Sequence, residues 1–219
     1  MRVRELYERL LSFYGPQDWW PAETPFEVVV GAILTQNTAW RNVEKAIDNL
    51  KREGILDPES ILKTPEDVLK ELIRPAGFYN QKAARLKRVC KLIVDYGGLE
   101  ELFSLPLDEL RSVLLSVKGI GPETADAIIL YAANKPTFVV DRYTHRVFTR
   151  LGIWKGDYDY EGIKKLVETE IPPDVYTYQE FHALIDEHAK RICRKNPLCA
   201  SCPLRDVCPY ARDGVSGEG

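Results

Sequence analysis

Apolar and polar positions recur along this chain with the period of a helix and almost nowhere with the period of a strand. Residues 3–14 mix charged and apolar side chains at helical spacing, and Gly15-Pro16 ends that run. From Phe26 onward, Val29, Ile33, Val43, Ile47 and Leu50 predict two helices broken near residues 35–38. Ser60, Thr64 and Pro65-Glu66-Asp67 are expected as helix starts. Ala84, Leu86, Val89 and Ile93, interleaved with Lys and Arg, predict an amphipathic helix over 81–96. Further helices are expected over 107–117, 122–133, 141–151, 160–170 and 178–191. The best strand candidate, residues 137–140, is short, and the residues from Arg212 on are expected to fray. The pattern assigns the chain to the all-α class.

Composition narrows the picture only in part. The 219 residues are 45% hydrophobic, enough for a packed core and too many for a disordered chain. The net charge is −3. That average argues mildly against nucleic acid, yet 30 Lys and Arg leave ample material for one basic face. No apolar run reaches the ~20 residues of a membrane helix. The charged start, Met1-Arg2-Val3-Arg4-Glu5, lacks the apolar centre of a secretion signal. A cytoplasmic location away from membranes is the expectation, and structural disulfides are then not expected.

The five cysteines therefore need another account. Four of them, Cys193, Cys199, Cys202 and Cys208, form a C-x5-C-x2-C-x5-C array near the C-terminus. Such a set can ligate a metal centre, and spacing alone leaves zinc and an iron–sulfur cluster both open. Cys90, in the amphipathic segment, fits a small buried hydrophobe. Between two expected helices lies Lys118-Gly119-Ile120-Gly121-Pro122. Glycine permits positive φ and close backbone approach, and Pro122 suits a first helical turn. The N–H groups that follow can hold an anion such as a phosphate, although the same segment would also serve as an ordinary helix–helix turn. Asp141 follows the apolar run Phe138-Val139-Val140 and suits a helix N-cap.

Taken together, these segments resemble the endonuclease III superfamily, whose helix–hairpin–helix carries an L-P-G-V-G-type hairpin followed at this spacing by a catalytic aspartate. The resemblance covers nearly the whole chain. It implies a DNA base-excision glycosylase with Asp141 as the catalytic residue, and phosphate contacts at Lys118, Gly119 and Gly121. It also favours a 4Fe–4S cluster on Cys193, Cys199, Cys202 and Cys208, with a basic loop bearing Arg191, Arg194, Lys195 and Arg205 against DNA. Here the first cysteine interval is one residue shorter than the family's C-x6-C. Lyase-active relatives attack the sugar with a lysine where this chain has Glu123, so a monofunctional enzyme is implied.

Trp19-Trp20-Pro21, the segment Leu34-Thr35-Gln36-Asn37-Thr38 followed by Trp40, and Glu123 after the hairpin resemble the 3-methyladenine glycosylase branch. That likeness implies a base pocket of Trp19, Trp20, Trp40 and Glu123 for an extruded alkylated purine. Asn37, with Gln36 beside it, matches the family's gap-filling position in the duplex. Two helical lobes are expected to frame a cleft with Asp141 at its mouth. One is a barrel over 23–133 that includes the hairpin helices at about 107–133. The other combines 1–22 with 134–219 and holds the cluster loop, 193–208. The partner is double-stranded DNA with a damaged base, and the protein is expected to be monomeric. Another lesion, oxidised or mismatched, or a non-catalytic iron–sulfur DNA-binding role, are the alternatives.

Overall fold

The computed structural model describes residues 1–19 and 22–213. Among the described residues there are thirteen α-helices and no strand. They are α1 (Val3–Tyr14), α2 (Pro25–Leu34), α3 (Trp40–Arg52), α4 (Pro58–Lys63), α5 (Glu66–Leu72), α6 (Tyr79–Asp95), α7 (Leu99–Ser104), α8 (Leu107–Ser116), α9 (Pro122–Ala127), α10 (Arg142–Arg150), α11 (Tyr160–Glu170), α12 (Val175–Arg191) and α13 (Pro209–Asp213). The chain divides into two compact units, one of residues 20–135 and one of residues 1–19 with 136–219. No helix among the described residues is long and apolar enough to cross a membrane.

The 20–135 unit is built around α2. Thr24 accepts a hydrogen bond from the Glu27 N–H at 3.1 Å and Pro25 opens the helix, so its start is written locally. Every residue from Phe26 to Leu34 is buried. Apart from Glu27, which pairs with Lys51 at 3.1 Å, the helix is apolar on all sides and belongs in an interior, and α3, α6 and α9 pack around it. The expected start at Ser60 is displaced. Asp57 is the cap, accepting from the Ser60 N–H at 2.9 Å, and Ser60 lies inside α4 while Thr64 ends it. The expected helix over 122–133 breaks its own period: α9 gives way to a π-helical turn, Ile128–Ala132.

In the other unit, α1 and α10 pack on α12. Phe181 of α12 meets Phe138 at 5.5 Å and Phe148 at 6.4 Å between ring centroids, and all three are fully buried. Each such ring contributes about 2–3 kcal/mol of apolar burial. Residues 137–140 are buried and extended but pair with no strand. Side chains satisfy their backbone instead: Phe138 N–H donates to Glu168 Oε1 at 2.9 Å, and the Tyr158 hydroxyl donates to the Val140 carbonyl at 3.3 Å. This anchored run delivers Asp141 to the start of α10.

Candidate active site and cysteine loop

Asp141 is the N-cap of α10 and closes a capping box with Thr144. Its Oδ1 accepts from the Thr144 N–H at 2.7 Å and from the Thr144 hydroxyl at 2.8 Å. Its Oδ2 lies 3.8 Å from Nε2 of His182, a buried residue of α12. Burial alone would raise the carboxyl's pKa. The contact and charge of His182 and the donors of Thr144 outweigh it and hold the group below the usual carboxylate range. The N-cap role thus leaves an ionised carboxylate with one oxygen fully engaged and the other beside an imidazole. The Trp19 ring lies 5.5 Å from the His182 ring, and the Lys190 ammonium lies 5.9 Å from the Trp19 centroid. Trp19 therefore belongs to the surroundings of Asp141, while Trp20 lies outside the described residues.

The hairpin shows why only one of its glycines is obligatory. Gly119 has φ +96°, where a Cβ would also meet the Arg85 side chain at 2.7 Å. Gly121 has φ −97°, the extended backbone of an N-cap, with nothing near a Cβ. Pro122 opens α9 as the sequence predicts. Lys118 and Gly119 are exposed, and Ile120 is buried. Arg88 donates to the Lys118 carbonyl at 3.1 Å, and the hairpin helices are joined by an ion pair of Arg111 with fully buried Asp126, at 2.8 and 3.2 Å. Glu123 is exposed on the first turn of α9.

Gln36 is drawn into this bracing. Its amide donates to the Thr124 hydroxyl at 2.7 Å while its oxygen accepts from Arg85. Asn37 instead stands exposed at φ +55°, a left-handed backbone that asparagine accepts more readily than most residues other than glycine. Trp40, half-buried, opens α3 three residues later. Lys82 fixes the start of this turn from below. Fully buried, it donates to the Leu34 and Ala76 carbonyls at 2.8 Å each, and burial pulls its pKa down to about 8.

The four C-terminal cysteines border one small cavity, together with Arg150, His188 and Leu204. Among the described residues no three His, Cys, Asp or Glu side chains converge as a single ion requires. Burial first, then the neighbouring sulfurs, push the Cys202 thiol up to about 11, and burial raises Cys208 as well. A set of thiolates here needs positive charge at its centre. Arg150 donates to Cys193 Sγ at 3.3 Å and to the Cys193, Arg194 and Lys195 carbonyls at 3.3, 2.6 and 3.0 Å. Arg146 donates to the Cys193 and Ala189 carbonyls at 2.9 and 3.0 Å. Arg191, Arg194, Lys195 and Arg205 are exposed, with Arg191 paired to Glu187 at 2.9 Å.

Sequence reasoning missed His182, Arg85, Arg146 and Arg150. A signal existed for the first: His182, Asp186 and Lys190 place a polar stripe at four-residue intervals on a helix otherwise rich in apolar residues.

Comparison with known proteins agrees with this architecture. Residues 30–173 match the family described as HhH-GPD superfamily base excision DNA repair protein. A Methanocaldococcus jannaschii protein, provisionally named a DNA repair glycosylase, is 54% identical over 94% of this chain and 95% of its own length. Endonuclease III of Thermotoga maritima is 32% identical over 89% of this chain and 87% of its own. The Helicobacter pylori 3-methyladenine DNA glycosylase bound to 1,N6-ethenoadenine superposes with a TM-score of 0.76 at 31% identity, over 87% of this chain and 98% of that one. An endonuclease III–DNA complex shares the fold, with a TM-score of 0.84 at 24% identity over 98% and 97% of the two chains. With a matching family model over most of its length and relatives of this similarity, the chain belongs to the HhH-GPD superfamily of base excision DNA repair glycosylases.

Proposed function

We propose that this protein is a monofunctional glycosylase that hydrolyses the N-glycosidic bond of alkylated purines, of 3-methyladenine type, extruded from duplex DNA. The observation that carries the reading is the ionised carboxylate of Asp141, held on one oxygen by Thr144. An N3- or N7-alkylated purine carries positive charge. When its bond to C1′ breaks, the base takes the electron pair and departs neutral. Positive charge builds on the sugar, where a fixed carboxylate stabilises it. Water then adds to C1′ and gives up a proton to Asp141 or to solvent, leaving an abasic site.

Trp19, beside Asp141, and Trp40, with Trp20, supply electron-rich rings for a cationic base. Glu123 cannot act as an amine nucleophile, which supports hydrolysis without strand cleavage. The exposed Asn37 is suited to fill the gap left by the extruded base. Gln36 is occupied in bracing, so its part is to shape that turn. Lys118 and the Gly119–Gly121 backbone grip a phosphate.

In this reading Cys193, Cys199, Cys202 and Cys208 would hold a 4Fe–4S cluster, as the family resemblance implies. The group would cross-link the loop; Arg146 and Arg150 tie that loop to α10, and Arg191, Arg194 and Lys195 are assigned to the DNA backbone.

The test is a panel of duplexes carrying alkylated, deaminated or oxidised bases, scored with and without alkaline work-up. Release of 3-methyladenine, with strand breaks appearing only after alkali, is expected. Strand cleavage at oxidised pyrimidines without alkali would overturn it and favour an endonuclease III-like activity.

A further inference from the structure

The capping box accounts for one oxygen of Asp141; α12 accounts for the surroundings of the other. His182 is 6% exposed and presents Nε2 to Asp141 Oδ2 at 3.8 Å. Its position along α12 is fixed by its neighbours, since Phe181, Leu184 and Ile185 are fully buried. On its other side lies the Trp19 ring, at 5.5 Å. We propose that His182 is a positioning residue for Asp141, holding the carboxylate's second oxygen in its working direction and linking it mechanically to the aromatic ring of Trp19. This rests on the catalytic role given to Asp141 above.

The physical case has three parts. First, the space is costly for an imidazole: a leucine would fill it without a buried polar group to satisfy. Second, the other charges near the pair are largely spent on one another. Asp186, one turn further along α12, is bound by Lys190 at 2.6 Å, while His182 presents Nε2 to Asp141. Third, the contact length is that of a resting site. A tilt of the imidazole by less than 1 Å brings it to hydrogen-bonding distance when charge appears opposite the carboxylate, and misplacement of that order costs up to about 100-fold in rate.

On α12, His182 and Asp186 are electrostatically coupled to Asp141, and Lys190 is paired with Asp186. Burial raises the Asp186 pKa, and the charge of Asp141 adds to it, against Lys190 and His182. On α10 there is His145, whose Nε2 is buried without a partner, with Tyr158 edge-on to its ring at 5.3 Å. Of these, His182 lowers the Asp141 pKa through both contact and charge.

The experiment compares parent, His182→Gln and His182→Leu in single-turnover release of 3-methyladenine from methylated duplex DNA across pH. It is paired with a carbon-13 NMR titration of the Asp141 carboxyl, and thermal melting checks the fold. Glutamine keeps a hydrogen-bond donor in place of the imidazole; leucine keeps none. The expected result is a loss of rate of about 10-fold for glutamine and up to about 100-fold for leucine, with KM preserved. The acid limb and the Asp141 midpoint should move upward in the order parent, glutamine, leucine.

A folded His182→Leu protein with the parental rate and the parental Asp141 midpoint would overturn the proposal. If the leucine variant does not fold, the glutamine variant decides by the same two readouts. Should the parent release no 3-methyladenine, the lesion assignment fails while the NMR titration still judges His182. Should Asp141→Asn excise normally, the catalytic reading fails instead.

Discussion

Two loops of this chain carry the basic residues that the proposed function assigns to DNA, and they are held in different ways. The hairpin at 117–121 is folded by its own backbone: Ile120 N–H bonds the Val117 carbonyl at 3.0 Å, Gly119 supplies the positive φ, and Arg85 and Arg88 brace it from α6. The cysteine loop also has local turns, with Leu198 N–H on the Ile192 carbonyl at 3.0 Å and Arg205 N–H on the Cys202 carbonyl at 3.2 Å, but it is tied as well to distant helices, by Arg146 and Arg150 of α10 and by Arg9 of α1 on Asp206 at 3.1 Å. The first is shaped mainly by its own backbone and braced from α6. The second draws on partners from α1 and α10 and, in the proposed reading, on a metal centre among its sulfurs.

That contrast can be broken by substitution. The largest effect is expected from Cys202→Ala, which should lose the visible absorption of the cluster and on the order of 4–5 kcal/mol of stability, read by denaturant unfolding. No hairpin variant should change the absorption. Arg150→Met comes next. It removes four hydrogen bonds to the loop, and because these acceptors are partly wetted the loss should be about 2–3 kcal/mol. Faster tryptic cleavage after Arg194 and Lys195 would accompany it, and unchanged cleavage would mean that the sulfurs alone hold the loop.

In the hairpin, Gly119→Ala should cost about 1–3 kcal/mol for its backbone conformation. Gly121→Ala should sit within about 0.5 kcal/mol of the parent, since its φ suits any residue. Equal costs would deny the distinction between the two glycines. The smallest change is in salt dependence: Lys118→Ala and Arg194→Ala should each lower the slope of log affinity against log salt by ~1. A loop whose variant leaves the slope unaltered does not touch phosphate.

The same contrast explains what the sequence made legible. Helix periods, Pro122 at its helix start and the Gly119 turn depend on neighbours a few residues away, so they could be read directly. The capping of α4 by Asp57 could have been read too, had the stronger acceptor been weighed over Ser60. His182 meets Asp141 across 41 positions of sequence, and Arg150 reaches Arg194 and Lys195 across more than 40. Nothing local announces such pairings. The π turn at Ile128–Ala132 was hidden because a fully apolar run carries no period to break.

In the proposed mechanism one ionised carboxylate, Asp141, offsets the positive charge that develops on the sugar as the base departs. The most direct measurement is the single-turnover rate of 3-methyladenine release by Asp141→Asn beside the parent, with duplex affinity measured in parallel. Because the folded pKa of Asp141 lies below the usual range, the parental rate should hold as pH falls through ordinary carboxylate titration and fail only beneath it. The account predicts that the asparagine variant binds DNA and excises about 10²–10³-fold more slowly at neutral pH. Excision by that variant at the parental rate would contradict it.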